Sequence, residues 1–246
     1  MSNVQDMRSM FKSCSELEFL DLSNFDTSNA IYMKLMFSGC NKLKQIKGLD
    51  NFNTNLVIDM SGLFQSCYEL KKLDLSNFDT SNVVDMSLMF NGCKKLSHII
   101  GLDNFDTYQV EKMTGMFQSC SELKYLDISN FNSINVEDMK SMFSFCYKLK
   151  IIDGISNFNT DKVENLSYMF QSCTELENLD LSNFNTVNVR NMSFMFNKCN
   201  NLKYLNLNNF ITIDCKTDSM LTFENKNDCN FITNNENLLD LFVSSP

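Results

Sequence analysis

One spacing constrains this chain more than any other feature. Cysteines recur at Cys14, Cys40, Cys67, Cys93, Cys120, Cys146, Cys173 and Cys199, so successive steps alternate between 26 and 27 residues, and each cysteine closes an MF-x-x-C motif or a near variant. An Asn-Phe pair keeps the same beat at Phe25, Phe52, Phe78, Phe105, Phe131, Phe158, Phe184 and Phe210. Repeats of this length are supersecondary units that cannot bury an apolar face alone and must stack on their neighbours. The alternation makes the true period a pair of units, 26 plus 27 or 53 residues.

Within a unit, Leu73 and Leu75 alternate with Asp74. That pattern predicts a short strand with leucines inward and aspartate outward, and stacking predicts a parallel sheet. Val83, Met86, Met89, Phe90 and Cys93 follow at helical offsets, which predicts a short helix behind the sheet with Ser81 or Asn82 at its start. Asn77 and its equivalents stand where the chain must turn, so their amides are expected to form an asparagine ladder on exposed backbone groups. Each long unit places its extra residue at Gly48, Gly101 or Gly154, which predicts a bulge or tighter bend beside the strand. The expected fold is an α/β solenoid: a right-handed leucine-rich repeat with a parallel strand sheet and short helices on the opposite side. It covers residues 1–210, with an irregular C-terminal cap or tail over 211–246 in which Leu238, Leu239, Leu241 and Phe242 form a short covering element. Exposed first-coil residues such as Met7, Met10 and Phe11 predict upstream sequence, end-to-end association or fraying.

The repeat absorbs most chemistry-bearing residues. Its cysteines fall at one place in every coil, so they are expected as buried, reduced thiols with parallel side chains, poorly placed for disulfides. Cys215 and Cys229 lie outside that ladder and are either free or bridged to each other. The 16 Met and 22 Phe are expected mostly in core columns. His98 is the sole histidine and reads as a surface residue, with neither a catalytic triad nor a histidine ligand set assembled around it, and the glycines at 48, 101 and 154 are singles rather than a phosphate loop. No catalytic, cofactor-binding or metal residue is therefore assigned. A net charge of -9 disfavours a nucleic-acid partner. The N-terminus lacks the basic and apolar segments of a secretory signal, and no run reaches the roughly 18 apolar residues of a membrane span.

What remains is the outward side of the strands. Successive coils place Asp21, Lys47, Asp74, Ile100, Asp127, Asp153 and Asp180 in one row, with Phe19, Lys72, His98, Tyr125 and Tyr204 in the row beside it. The candidate binding face comprises Phe19, Asp21, Asp74, His98, Tyr125, Asp127, Asp153, Asp180 and Tyr204. It suits a protein or a glycan ligand, and equally the plain task of keeping exposed strands in solution.

The consensus C-x-x-L-x-x-L-D-L-S-N-F-x-T-x-x-V-x-x-M-x-x-M-F, nearly ideal from Cys67 through Phe90, resembles the BspA-like leucine-rich-repeat surface proteins of mycoplasmas, mucosal bacteria and protists. The match spans about residues 3–210. The resemblance implies a surface or secreted adhesion module that binds proteins without catalysis. The rival expectation is a cytoplasmic protein-interaction scaffold, which suits reduced thiols and the missing signal equally well.

Overall fold

Alternation of leucine with polar residues produces strands, each only three residues long. The computed structural model describes residues 3–244. In β3 (Lys72–Asp74), Leu73 is buried between two exposed neighbours. Its equivalents are β1 (Phe19–Asp21), β2 (Gln45–Lys47), β4 (His98–Ile100), β5 (Tyr125–Asp127), β6 (Ile151–Asp153), β7 (Asn178–Asp180) and β8 (Tyr204–Asn206). Every pairing is parallel and joins equivalent residues, such as Leu73 with Ile99. The chain is a parallel-strand solenoid of about eight turns.

The strands do not make one continuous sheet. β1 pairs with β2, β3 with β4, β5 with β6 and β7 with β8, while among the described residues no strand pairing joins β2 to β3, β4 to β5 or β6 to β7. The glycine of each long unit accounts for the division. Gly48, Gly101 and Gly154 sit at φ 90, 88 and 89° and open a short 3-10 turn, as at Leu102–Asn104. A side-chain carbon at Gly101 would stand 2.5 Å from the Ser76 backbone of the preceding coil. Bare backbone therefore packs onto the coil before it, and strand pairing stops on the side of the coil after it. The expected bend exists, and it sets the grouping of coils. Ion pairs follow the same partition: Lys47–Asp21, Lys95–Glu69, Lys148–Glu122 and Lys203–Glu177 all lie within a coil pair. Lys150–Glu175 crosses a boundary.

The opposite side corrects the expectation of helices. Val83, Met86, Met89, Phe90 and Cys93 are all buried, as their spacing requires, yet the segment is a chain of turns. The Met89 and Cys93 N–H groups fold back onto the Met86 and Phe90 carbonyls, whereas Met86, Leu88, Phe90 and Gly92 donate to Lys112, Thr114, Met116 and Gln118 in the next coil. Alternating the two directions requires left-handed residues, here Leu88 at φ 59° and Gly92 at φ 74°. Neither expected cap acts as one: Ser81 donates to Asp79, and the Asn82 amide donates to the Asn55 carbonyl. An isolated helix this short is marginal in water, and the neighbouring coil offers aligned carbonyls instead. The continuous seam consequently lies at the back, where parallel bridges run from Asp6 through Tyr32, Asp59, Asp85, Lys112, Asp138, Asn165 and Asn191 to Lys216.

Core columns repeat coil by coil. Phe37, Phe64, Phe90 and Phe117 stack at centroid distances of 5.5, 5.9 and 5.4 Å. The cysteine column is free of disulfides, and each thiol donates to a phenylalanine carbonyl one coil back, as Cys93 does to Phe64 at 3.1 Å. Cys14, in the first described coil, is exposed. Met7, expected at the surface, is 1% exposed and belongs to the core, and its N–H donates to the Tyr32 carbonyl of the second coil.

The ladders continue past residue 210. Phe196 donates to Met220 as Phe170 does to Met195, so Met220 and Leu221 take the places of Met195 and Phe196 after a step of 25 residues. β9 (Asn230–Ile232) pairs with β8, and α1 (Glu236–Ser244) buries Leu238 and sets Phe242 on Phe231 at 4.3 Å. Leu239 faces solvent. Cys215 and Cys229 are both free.

Two measurements check this account. Gly92 is also left-handed, but an added carbon there meets nothing nearer than 3.4 Å. Gly92→Ala should therefore show backbone strain alone, about 1–2 kcal/mol, while Gly101→Ala adds a clash with backbone and lowers the urea midpoint further. Equal midpoints would remove the glycine from its role in coil pairing. Burial pushes the Cys93, Cys146 and Cys199 thiols up to about 12. Unfolded thiols ionise near ~8.5, so above that pH the unfolded chain binds fewer protons and stability falls by roughly 1.4 kcal/mol per pH unit for each such thiol. Urea midpoints taken between about pH 8 and pH 10 should drop steeply, and a flat profile would contradict the buried column.

Candidate binding clefts on the strand face

Side chains leave the strand face in parallel rows, and hydrogen bonds occupy much of what they offer. Asp21, Asp74 and Asp127 each accept from the N–H and hydroxyl of the serine two residues on. These bonds hold all three carboxyls below their usual range, with Lys47 adding to the effect at Asp21. Asp180 accepts from the Ser182 N–H. Asp153 takes a bond of 2.8 Å from the Tyr125 hydroxyl, which raises the phenol above its ordinary range. His98 Nδ1 lies 2.9 Å from the Ser97 hydroxyl.

The nine candidate residues do not form one site. Phe19 and Asp21 stand on the first coil, and Asp180 and Tyr204 at the far end, where Tyr204 is half-buried and Asn206 is 8% exposed. His98, Tyr125 and Asp127 come together at the boundary between β4 and β5. The unpaired strand edges leave a cleft of about 600 Å³ there, with Ile99, Leu102 and Leu126 among its lining and Ile100, Asp103 and Tyr125 beside them. An equivalent cleft of about 550 Å³ lies between β2 and β3, lined by Lys47, Asp50, Lys72 and Asp74 among others. Asp74 faces this first cleft, so the row of aspartates is divided among separate compartments. Tyr125 and Ile100 are 50% and 38% exposed, so apolar surface is open to a ligand at the second cleft. Among the described residues no group of metal-capable side chains converges, and no helix is long and apolar enough to cross a membrane.

Side-chain bonds hold the coils together where strand pairing is missing. The expected asparagine ladder is present, and it reaches across the boundaries: Asn77 donates to Asp50, Asn130 to Asp103 and Asn183 to Ser156, at 2.7, 2.8 and 2.9 Å. A second ladder was not anticipated. Buried Thr107 donates from Oγ1 to the Asn132 carbonyl at 3.0 Å and accepts from the Asn132 N–H at 2.7 Å, directly beneath the β4/β5 boundary. Thr27, Thr54 and Ser133 do the same for their following coils. Its signal was the hydroxyl residue two places after each Asn-Phe pair.

The family model described as "Mycoplasma protein of unknown function, DUF285" matches residues 1–98, 39–151 and 122–235. The chain belongs to this DUF285 family. Its overlapping matches advance along the same repeats that build the coil pairs. None of the curated proteins matches the chain. Among solved structures, a leucine-rich cell surface protein from Faecalibacterium prausnitzii A2-165 is 13% identical with a TM-score of 0.35, over 97% of this chain and 79% of that one.

The threonine ladder gives the prediction for this region. Thr107→Val keeps the shape but removes both bonds to Asn132, and should cost about 1–3 kcal/mol by denaturant titration. Thr107→Ser, which retains the hydroxyl, should recover most of it. A valine variant as stable as wild type would show that the boundary does not depend on the hydroxyl.

Proposed function

We propose that this DUF285 chain is a noncatalytic, surface-displayed binding module of the BspA-like leucine-rich type, which adheres to partner proteins through its strand face. The observation that carries the reading is the division of labour within the repeat. Core columns and the back seam are filled with the chain's own groups, whereas the strand face leaves two compartments lined by aliphatic floors and charged or aromatic walls. Concave apolar surface with a few converging polar groups is what recognition requires. The aspartates are committed to turns and ion pairs rather than to a nucleophile and base, which favours binding over catalysis.

Surface display follows from the resemblance carried by the LDLSNFDTSNV consensus. A second reading, an intracellular interaction scaffold, has the free thiols in its favour, because extracellular repeat proteins with this many cysteines have every opportunity to oxidise. Antibodies raised against the chain separate the two. Staining of intact cells is the expected result, and staining that appears only after permeabilisation would reject surface display.

A further inference from the structure

The two front clefts are the same construction 53 residues apart, so their differences can be compared position by position. Asp50 and Asp74 of the first correspond to Asp103 and Asp127 of the second, and Lys71 corresponds to Lys124. Four other positions differ: Lys44 and Gln45 of the first cleft stand where the second has Ser97 and His98, and two more change character. Lys47 and Lys72 of the first cleft are replaced by Ile100 and Tyr125 in the second. The first cleft thus carries its own cations: Lys72 acts on Asp74, and Lys47 is paired with Asp21 at 2.9 Å. The second keeps the aspartates, lacks those cations, and presents a branched aliphatic and an aromatic side chain where the lysine stems would lie.

We propose that the cleft between β4 and β5 receives a basic side chain, arginine or lysine, from a segment of a partner protein. This deepens the binding function proposed above and rests on it for biological meaning. The partner's methylene stem packs on Ile100 and Tyr125, and its charge is directed to Asp103 and Asp127. Asp127 commits Oδ1 to Ser129, leaving Oδ2 for the ligand. The Tyr125 ring, tethered to Asp153 at 2.8 Å, is held in place and offers its face to a cation. A chain charge of -9 adds long-range attraction for a basic partner. A neutral glycan would leave the aspartates without a counter-charge, and an anionic one would be repelled by them.

The test uses the full chain and a labelled Gly/Ser-rich peptide bearing one arginine, with the citrulline peptide as its uncharged twin and a neutral oligosaccharide as competitor. Calorimetry should give one site, with the arginine peptide favoured roughly tenfold, since each exposed charge pair is worth a few-fold. Tyr125→Lys supplies a cation in cis and should abolish that preference. The double variant Lys47→Ile/Lys72→Tyr gives the first cleft the aliphatic and aromatic walls of the second, and should raise the stoichiometry from one to two, a gain that misfolding cannot imitate. Equal affinity for arginine and citrulline, unchanged stoichiometry in the double variant, or displacement of the peptide by the oligosaccharide would each overturn the assignment. The readout is independent of compartment, so a chain confined inside the cell could still pass it, and a displayed chain could still fail it.

Discussion

The structure depends on hydrogen bonds that run from one coil to the next along the back. Within each chain of turns, every second N–H points forward to a carbonyl in the following coil, as Met86, Leu88, Phe90 and Gly92 do, while the intervening N–H groups close turns on their own coil. Buried backbone groups must find partners. Here the forward bonds satisfy them only if the back segments of consecutive coils stay in register. The requirement fixes the register of all coils at once, and through it aligns Phe on Phe and Cys on Cys. A ladder of equal residues is then a consequence of the bonding rather than a separate contribution.

With the back held, the front is free to vary, and the extra residue of each long unit is placed there. Left-handed glycine packs against the preceding coil, and the next strand is left without a partner. Where strand pairing stops at the boundary, two ladders that run through every coil carry on across it: asparagine amides on the surface and buried hydroxyls. The clefts are therefore supported openings. Their floors belong to the core, and their walls belong to rows that the fold does not constrain.

The sequence made the columns legible because each one repeats, and a strict repeat of Cys, Phe, Leu or Met has few explanations other than a stacked interior. It also revealed the coil pair and its glycine. It did not reveal turns in place of helices, because Val83, Met86, Met89 and Phe90 point inward at the same offsets in both. The left-handed positions that distinguish them are filled by Leu88, Tyr168 and Phe194 in some coils, and only by Gly62 and Gly115 in others. No residue type marks that column consistently. The continuation past residue 210 is obscured by a step of 25 residues, which displaces Met220 and Leu221 from the positions that the 26- and 27-residue steps point to. The candidate face follows from the sequence as a set of rows. Rows are what repetition displays, whereas the clefts arise from the side of the glycine on which pairing fails, a direction that spacing alone does not encode.

That direction matters for how such a chain acquires specificity. Substituting a core column residue disturbs the coils above and below, so the interior resists change. A wall residue such as Ile100 or Tyr125 touches no ladder that crosses the boundary, and its exchange alters one compartment alone. Lys47 and Ile100, or Lys72 and Tyr125, are the same places in the same geometry with opposite chemical meaning. A solenoid divided into coil pairs can hold one scaffold constant and vary its contacts pair by pair, which is how a repetitive sequence can carry a face that does not repeat.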